Sequence, residues 1–252
     1  MTFEIHHRVR TASTNLDARA GRPGDVFTAD EQTAGRGRLD HRWLSPPGVN
    51  LMMSVVLDVS DVPVERSVTL PLVAGLAVAE AMTRWTDRKG ASLEPELKWP
   101  NDVLCAGRKL AGILCERVDG RVIVGIGVNV RQTEFDPEIA MRATSLALLT
   151  GVDLSADCVL SVRDAVLARL AARYEQWRSG GFGALHADYA RRDCLRGKTI
   201  AVLQTDSDAS PTRGLCGGVS PDGTLRVGDV DVFAGEVHVA TKIGIDSPRK
   251  MK

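Results

Sequence analysis

The stretch Lys109-Leu110-Ala111-Gly112-Ile113-Leu114-Cys115-Glu116-Arg117, followed across Asp119-Gly120 by Arg121-Val122-Ile123-Val124-Gly125-Ile126-Gly127-Val128-Asn129-Val130, decides the fold class. Asp-Gly between two apolar, β-branched runs is a strong hairpin signal, because tight hairpin turns need residues that tolerate positive φ. Two more strand-like pieces precede it, Glu96–Trp99 and Val103–Cys105, joined by Asn101-Asp102. Glycine weakens a strand, so the last run divides into Arg121–Val124 and Gly125–Val130, and five short strands are expected in succession. Helices flank them. Val68, Leu72, Leu76 and Ala79 recur at helical spacing over Thr69–Arg84, with Pro71 tolerable in the first turn. Val159, Val162, Val166 and Leu170 mark a long helix over Ser155–Arg178. Strands clustered between helices predict an α+β domain on a mixed, mostly antiparallel sheet.

Toward the N-terminus, residues 3–10 read as a strand with Phe3, Ile5, His7 and Val9 on one face. Ser13-Thr14-Asn15 offers N-cap residues for a short helix through Leu16 and Ala20. Val26–Glu31 is a second strand, and Val49–Leu57 an apolar one buried on at least one face. Gly180-Gly181-Phe182-Gly183 breaks the long helix, and Leu185–Arg192 suits one more short helix. From Gly197 the texture changes to short strands at Lys198–Gln204, Gly214–Ser220, Thr224–Val227 and Glu236–Ala240. The expected organisation is a main domain over 1–194, a small β unit over 195–245 leaning on it, and a frayed tail over 246–252.

The 252 residues carry 32 basic and 32 acidic side chains, so any basic function must be local. Apolar content of 44% and charged content of 25% are those of a soluble globular protein. The N-terminus lacks a secretory pattern, and no apolar run reaches membrane-spanning length. Five scattered cysteines without metal spacing suit reduced thiols. A cytoplasmic chain is expected.

Four stretches carry chemistry, two of them within the hairpin. Gln32-Thr33-Ala34-Gly35-Arg36-Gly37-Arg38-Leu39-Asp40-His41-Arg42-Trp43 is a glycine-spaced basic loop, which suits either an anion such as phosphate or carboxylate, or a solvated segment. Lys98-Trp99-Pro100-Asn101-Asp102 gathers a lysine, an amide and a carboxylate at one rim of the sheet, fit for a phosphate with Mg²⁺ or for a plain turn. In the hairpin, alternation puts Lys109 on one face with Ala111, and Gly112 lets another group approach. Gly125-Ile126-Gly127 lacks the third glycine of a dinucleotide fingerprint, so it reads as a close approach of ligand or backbone, or as a bulge; Asn129 follows where an amide could read ribose or phosphate.

These stretches, with Ser13-Thr14-Asn15, occur in the order and separations of the biotin protein ligases, and the chain resembles that family over nearly its whole length. The resemblance implies a catalytic domain over 1–194 with the fold shared by class II aminoacyl-tRNA synthetases and biotin ligases, and a small C-terminal SH3-like β barrel over 195–245. It implies ATP, Mg²⁺ and biotin as ligands, and a biotin carboxyl carrier protein or domain as partner. Ser13, Thr14, Asn15 and Gln32 would hold the ureido ring, with Gly35, Arg36, Gly37, Arg38, Lys109 and Gly112 completing the biotin site. Arg36, Arg38, Trp43, Lys98, Asn101, Lys109 and Asn129 would take ATP and the adenylate, and Asp102 the Mg²⁺ through the phosphates. Lys109 and Arg38 would be catalytic. The strand before Ser13 begins almost at residue 1, which implies a ligase-only form that does not bind DNA. A homodimer is one admissible state, and no membrane partner is expected.

One departure stands out. Leu39-Asp40-His41-Arg42 occupies the place where many relatives read Arg-Gly-Arg, which implies a lid less dependent on electrostatics. A lipoate or octanoate ligase, which has a related fold, would carry an Arg-Arg-x-Ser-Gly-Gly-Gly type of loop that is not found here. A nucleic-acid module would need a basic face and stacking aromatics, against zero net charge and 4% aromatics.

Overall fold

A computed structural model describes residues 1–39, 41–151, 154–203, 210–241 and 244–245. Asp40 of the departing loop, Gln204 and the expected tail lie outside these. The Asp119-Gly120 hairpin is the centre of a seven-stranded sheet, and both turn residues take positive φ, 44° and 75°. The strands are β1 Glu4–Thr11, β2 Asp25–Gln32, β3 Leu51–Asp58, β4 Glu96–Lys98, β5 Asp102–Cys105, β6 Arg108–Val118 and β7 Arg121–Val128. Their order is β1-β2-β3-β7-β6-β5-β4. β1 and β2 run parallel and all other neighbours antiparallel, so the sheet is mixed as expected.

The expected division of the last run is corrected: β7 is one strand from Arg121 to Val128. It pairs with β3 on one side and β6 on the other along its length, and those two ladders hold the glycines extended. The strand expected over residues 3–10 is β1, an exposed one. Ile5 and Val9 are exposed at 41% and 73%. β1 is an edge strand, whereas helices α3 (Leu70–Asp87) and α5 (Asp157–Gly180) pack over strands from β3 to β7.

α3 begins with Pro71 in its first turn and buries small residues, Ala74, Gly75, Ala77 and Ala81, that let it lie close on the sheet. Gly75 faces Leu97 and Ile113. α5 packs against α3, with Trp85 Nε1 donating to Ser161 Oγ at 2.9 Å. Short helices complete this part: α1 Thr14–Asp17, α2 Val64–Ser67, α4 Leu146–Thr150 and α6 His186–Ala190. Ser145 caps α4 by accepting from Leu148 N, and Gly151 ends it in the left-handed conformation.

The C-terminal strands are β8 Thr199–Leu203, β9 Thr212–Val219, β10 Leu225–Val227, β11 Val230–Val232, β12 Glu236–Thr241 and β13 Gly244–Ile245. Among the described residues they form an open antiparallel sheet, β11-β10-β9-β8-β12-β13. It does lean on the main sheet, and one cluster of buried apolar residues runs through both. Trp99, 2% exposed, donates its indole N–H to Gly223 O at 3.1 Å, and Gly223 abuts Thr69 and Leu72. No helix among the described residues is long and apolar enough to cross a membrane.

Candidate active site

A cleft of about 750 Å³ opens where β2, β6 and β7 present glycines and polar groups to the loop after β2. Of the residues singled out from the sequence, Ser13, Thr14, Asn15, Gln32, Arg36, Gly37, Arg38, Trp43, Lys98, Asn101, Asp102, Lys109, Gly112 and Asn129 all line it. Gly35 does not; its carbonyl accepts from Trp43 N at 3.0 Å behind the wall, where a Cβ would meet the Trp43 backbone.

One end is a buried polar cluster. Ser13 stands at the N-cap of α1, yet its side chain makes no capping hydrogen bond. Gln32 Oε1 accepts from Thr14 N at 2.8 Å and from Thr14 Oγ1 at 3.1 Å. Ser54, fully buried on β3, lies 2.7 Å from Thr14 Oγ1 and donates to Asn15 Oδ1 at 2.6 Å. Asn15 Nδ2 donates to Glu116 Oε2 at 2.7 Å. Burial would raise the Glu116 carboxyl, but the hydrogen bonds from Asn15 and Arg19 and the charge of Arg36 outweigh it and hold it below the usual glutamate value.

Glycines make the floor. A Cβ at Gly125 would overlap Asn15 Oδ1, and one at Gly127 would come within 2.5 Å of the Trp43 ring. The close approach expected at this Gly-Ile-Gly is thus made by side chains. Gly125→Ala is expected to cost about 1–3 kcal/mol through overpacking against Asn15. Denaturant unfolding measures this, and an unchanged midpoint would mean that α1 yields freely.

The basic loop folds back on itself: Gly37 N donates to His41 O at 2.7 Å, and Arg36 and Arg42 form an isolated bridge. Arg36 Nη1 pairs with Glu116 Oε1 at 3.0 Å. Arg38 Nη1 reaches Asn101 Oδ1 at 3.4 Å and Gly235 O at 3.3 Å, so the loop touches the C-terminal sheet. Burial lowers the Arg38 pKa, while Asp102 and Glu236 counteract it; a guanidinium so far above neutrality stays charged. Trp43 Nε1 is buried with no hydrogen-bond partner among the described residues.

Lys109 required a correction. Strict alternation groups it with Ala111, but Ala111 is buried in the core while Lys109 faces the cleft beside Gly112. The cause is a bulge: Val103 pairs with Ala111 but Leu104 with Lys109, so Leu110 is an extra residue that turns the lysine over. Lys109 Nζ then pairs with Asp102 Oδ1 at 2.6 Å and lies 5.9 Å from the Trp43 ring centroid. Asn101 Nδ2 donates to Ile113 O at 2.8 Å, and Asn129 Nδ2 to Thr144 O at 2.9 Å. Both amides are thereby oriented by backbone.

Sequence reasoning missed the roles of Ser54 and Glu116 and the cleft wall from Phe135, Ile139 and Arg142. The signal for Glu116 was its period-2 register with Gly112 and Leu114 on the cleft side of β6. Cys194 also lines the cleft, but burial and Glu96 push its thiol up to about 11, so it offers no thiolate nucleophile at neutral pH. Glu4, His6 and Asp25 could share a metal ion, and none of them lines the cleft.

In chemical terms, a buried set of donors and acceptors at one end meets three cations, Arg36, Arg38 and Lys109, at the other. That arrangement suits a neutral polar ring joined to an anion. Comparison with known proteins agrees with it. Residues 7–132 match the family described as the biotin/lipoate A/B protein ligase family. The biotin–[acetyl-CoA-carboxylase] ligase of Mycobacterium tuberculosis is 40% identical over 201 residues, 77% of this chain and 72% of that protein. The bifunctional ligase/repressor BirA of Bacillus subtilis is 35% identical over 167 residues, 63% of this chain and 48% of that protein, so the match spans about half of the latter's length. The biotin protein ligase of Aquifex aeolicus in complex with biotin and ATP superposes with a TM-score of 0.79 at 29% identity, covering 93% of this chain and 97% of that one. The chain belongs to the biotin/lipoate A/B protein ligase family.

Proposed function

We infer that the protein is an ATP-dependent biotin protein ligase. It forms biotinyl-5′-AMP from biotin and ATP, then transfers biotin to a lysine of a biotin carboxyl carrier protein or domain. The observation that carries this reading is the single cleft joining the Thr14–Gln32–Ser54–Asn15 polar cluster to Lys109 and the loop arginines. The M. tuberculosis relative's name and the biotin and ATP in the Aquifex structure support it.

In this reading Ser13, Thr14, Asn15 and Gln32 surround the ureido ring, and Gly112 leaves room for the valeryl chain. The biotin carboxylate attacks the α-phosphate of ATP. Both are anions; Arg36 binds the carboxylate, and Lys109 and Arg38 offset the repulsion and stabilise the charge that develops. Pyrophosphate leaves. The acceptor lysine then attacks the acyl carbon, and AMP departs. The mixed anhydride is water-sensitive, and the loop from Arg36 to Trp43 covers it. Lys98, Asn101, Asn129 and Trp43 belong to the nucleotide half. Mg²⁺ fits as an ion brought by the triphosphate: Asp102 offers a hard carboxylate beside Lys109, and no three metal-ligating side chains cluster in the cleft among the described residues. When bound, it would screen phosphate charge.

The coarser features follow the same reading. Residues 1–194 form the catalytic domain, and 195–245 are the counterpart of an SH3-like barrel. The protein acts in the cytoplasm, on a carboxylase carrier, and a homodimer is compatible with it.

The test is incubation with ATP, Mg²⁺ and either biotin or octanoate, following pyrophosphate. Release with biotin alone is expected. Release with octanoate alone would transfer the assignment to the lipoate side of the family, and none with either acid would end the ligase reading.

A further inference from the structure

Glu116 lies on β6, just behind the cleft wall, and no part of the chemistry above needs it. Its carboxylate nevertheless gathers three donors, two from the helical segment after Ser13 and one from the basic loop. Oε2 accepts from Asn15 Nδ2 at 2.7 Å, while Oε1 meets Arg36 Nη1 at 3.0 Å and Arg19 Nη2 at 3.2 Å. Asn15 is held at its other end too, since Oδ1 accepts from Ser54 at 2.6 Å. Ser54 and Glu116 together fix which way that amide points. Arg36 spends one of its five N–H donors on Glu116, which leaves the fork open to an anion in the cleft.

We propose that Glu116 is a positioning residue that registers the lid to the ring-binding end, anchoring Arg36 with one carboxylate oxygen and orienting Asn15 with the other. This rests on the biotin ligase reading. The physical point is that one strand residue holds both a buried amide and a loop cation. The lid therefore closes in register with the pocket that it covers, and loss of the anchor acts on ligand retention and not on the bond-making step.

Glu116→Gln tests it. Glutamine keeps the shape but has one acceptor oxygen and no charge, so it can serve Asn15 or Arg36 but not both. The expected result is a KM for biotin raised about tenfold and release of bound biotinyl-adenylate accelerated about tenfold, roughly the loss of one charge-assisted hydrogen bond. The rate of adenylate formation at saturating substrates should change less than about twofold, a split between KM and kcat that a general folding defect would not give. In an Arg36→Ala background, Glu116→Gln should add almost nothing to adenylate release, because its partner is already gone. Glu116→Asp, which keeps the charge but shortens the reach, should show the same split and serves if the glutamine variant folds poorly. Wild-type KM and release in both variants, or effects of Glu116→Gln and Arg36→Ala that simply multiply, would overturn the proposal. Wild-type protein that makes no biotinyl-adenylate would instead overturn the ligase reading beneath it.

Discussion

Replacing Lys109 by alanine is expected to slow biotinyl-adenylate formation by about 10²- to 10³-fold, the usual loss when a preorganised charge-stabilising donor is removed. The ammonium sits where the bulge at Leu110 turns it into the cleft, beside Gly112 and within 2.6 Å of Asp102. In the ligase reading it faces two anions that must meet. Without it their repulsion returns, and Asp102 loses its partner and adds a negative charge of its own. The fold should survive, because Lys109 is part-exposed and its backbone bonds to Arg142 O and Thr144 N do not depend on the side chain. Single-turnover pyrophosphate release checks the rate and circular dichroism the fold. Wild-type rates would remove Lys109 from the catalytic set.

The second large effect is expected from Arg38→Gly. Arg38 is the loop's tether to both sheets, through Asn101 and Gly235. Glycine removes the tether and also loosens the backbone by about 1 kcal/mol. Adenylate should then escape before the acceptor lysine reaches it, so labelling of bystander lysines should rise by about tenfold or more, a loss of roughly 1.4 kcal/mol in retention. Mass spectrometry of a mixed-protein reaction reads this out. Clean labelling of the acceptor alone would count against the role of Arg38.

The strands of the central sheet were legible because their apolar, β-branched runs are short and their turns carry Asn-Asp and Asp-Gly. α3 and α5 were legible from helical periodicity. The misreadings share a cause. Splitting β7 at Gly125 treated glycine as a breaker, but two flanking ladders overrode its weak strand preference. Grouping Lys109 with Ala111 assumed unbroken alternation, and a bulge is a property of pairing with β5, which local sequence does not encode. β11 and β13, of three and two residues, were missed because such short pieces carry no periodicity. For the site, residue types and order brought fourteen of the fifteen named side chains to one cleft, with Gly35 behind it. No role for Glu116 or Ser54 was legible, since their importance comes from partners far along the chain: Glu116 bonds Asn15 across 101 positions.

The apolar cluster that runs beneath both sheets bears on how the chain comes apart. With Trp99 sealed against Gly223 and Gly223 against Thr69, the C-terminal strands have no separate interior to retreat to. Opening them exposes the floor of the larger sheet, so amide protons in β8 and β12 should be guarded by nearly the same free energy as those in β3 and β7. Gly235, where Arg38 ties down the loop, directly precedes β12, so the loop is fastened to a strand that opens only with the main sheet and not to a loose appendage.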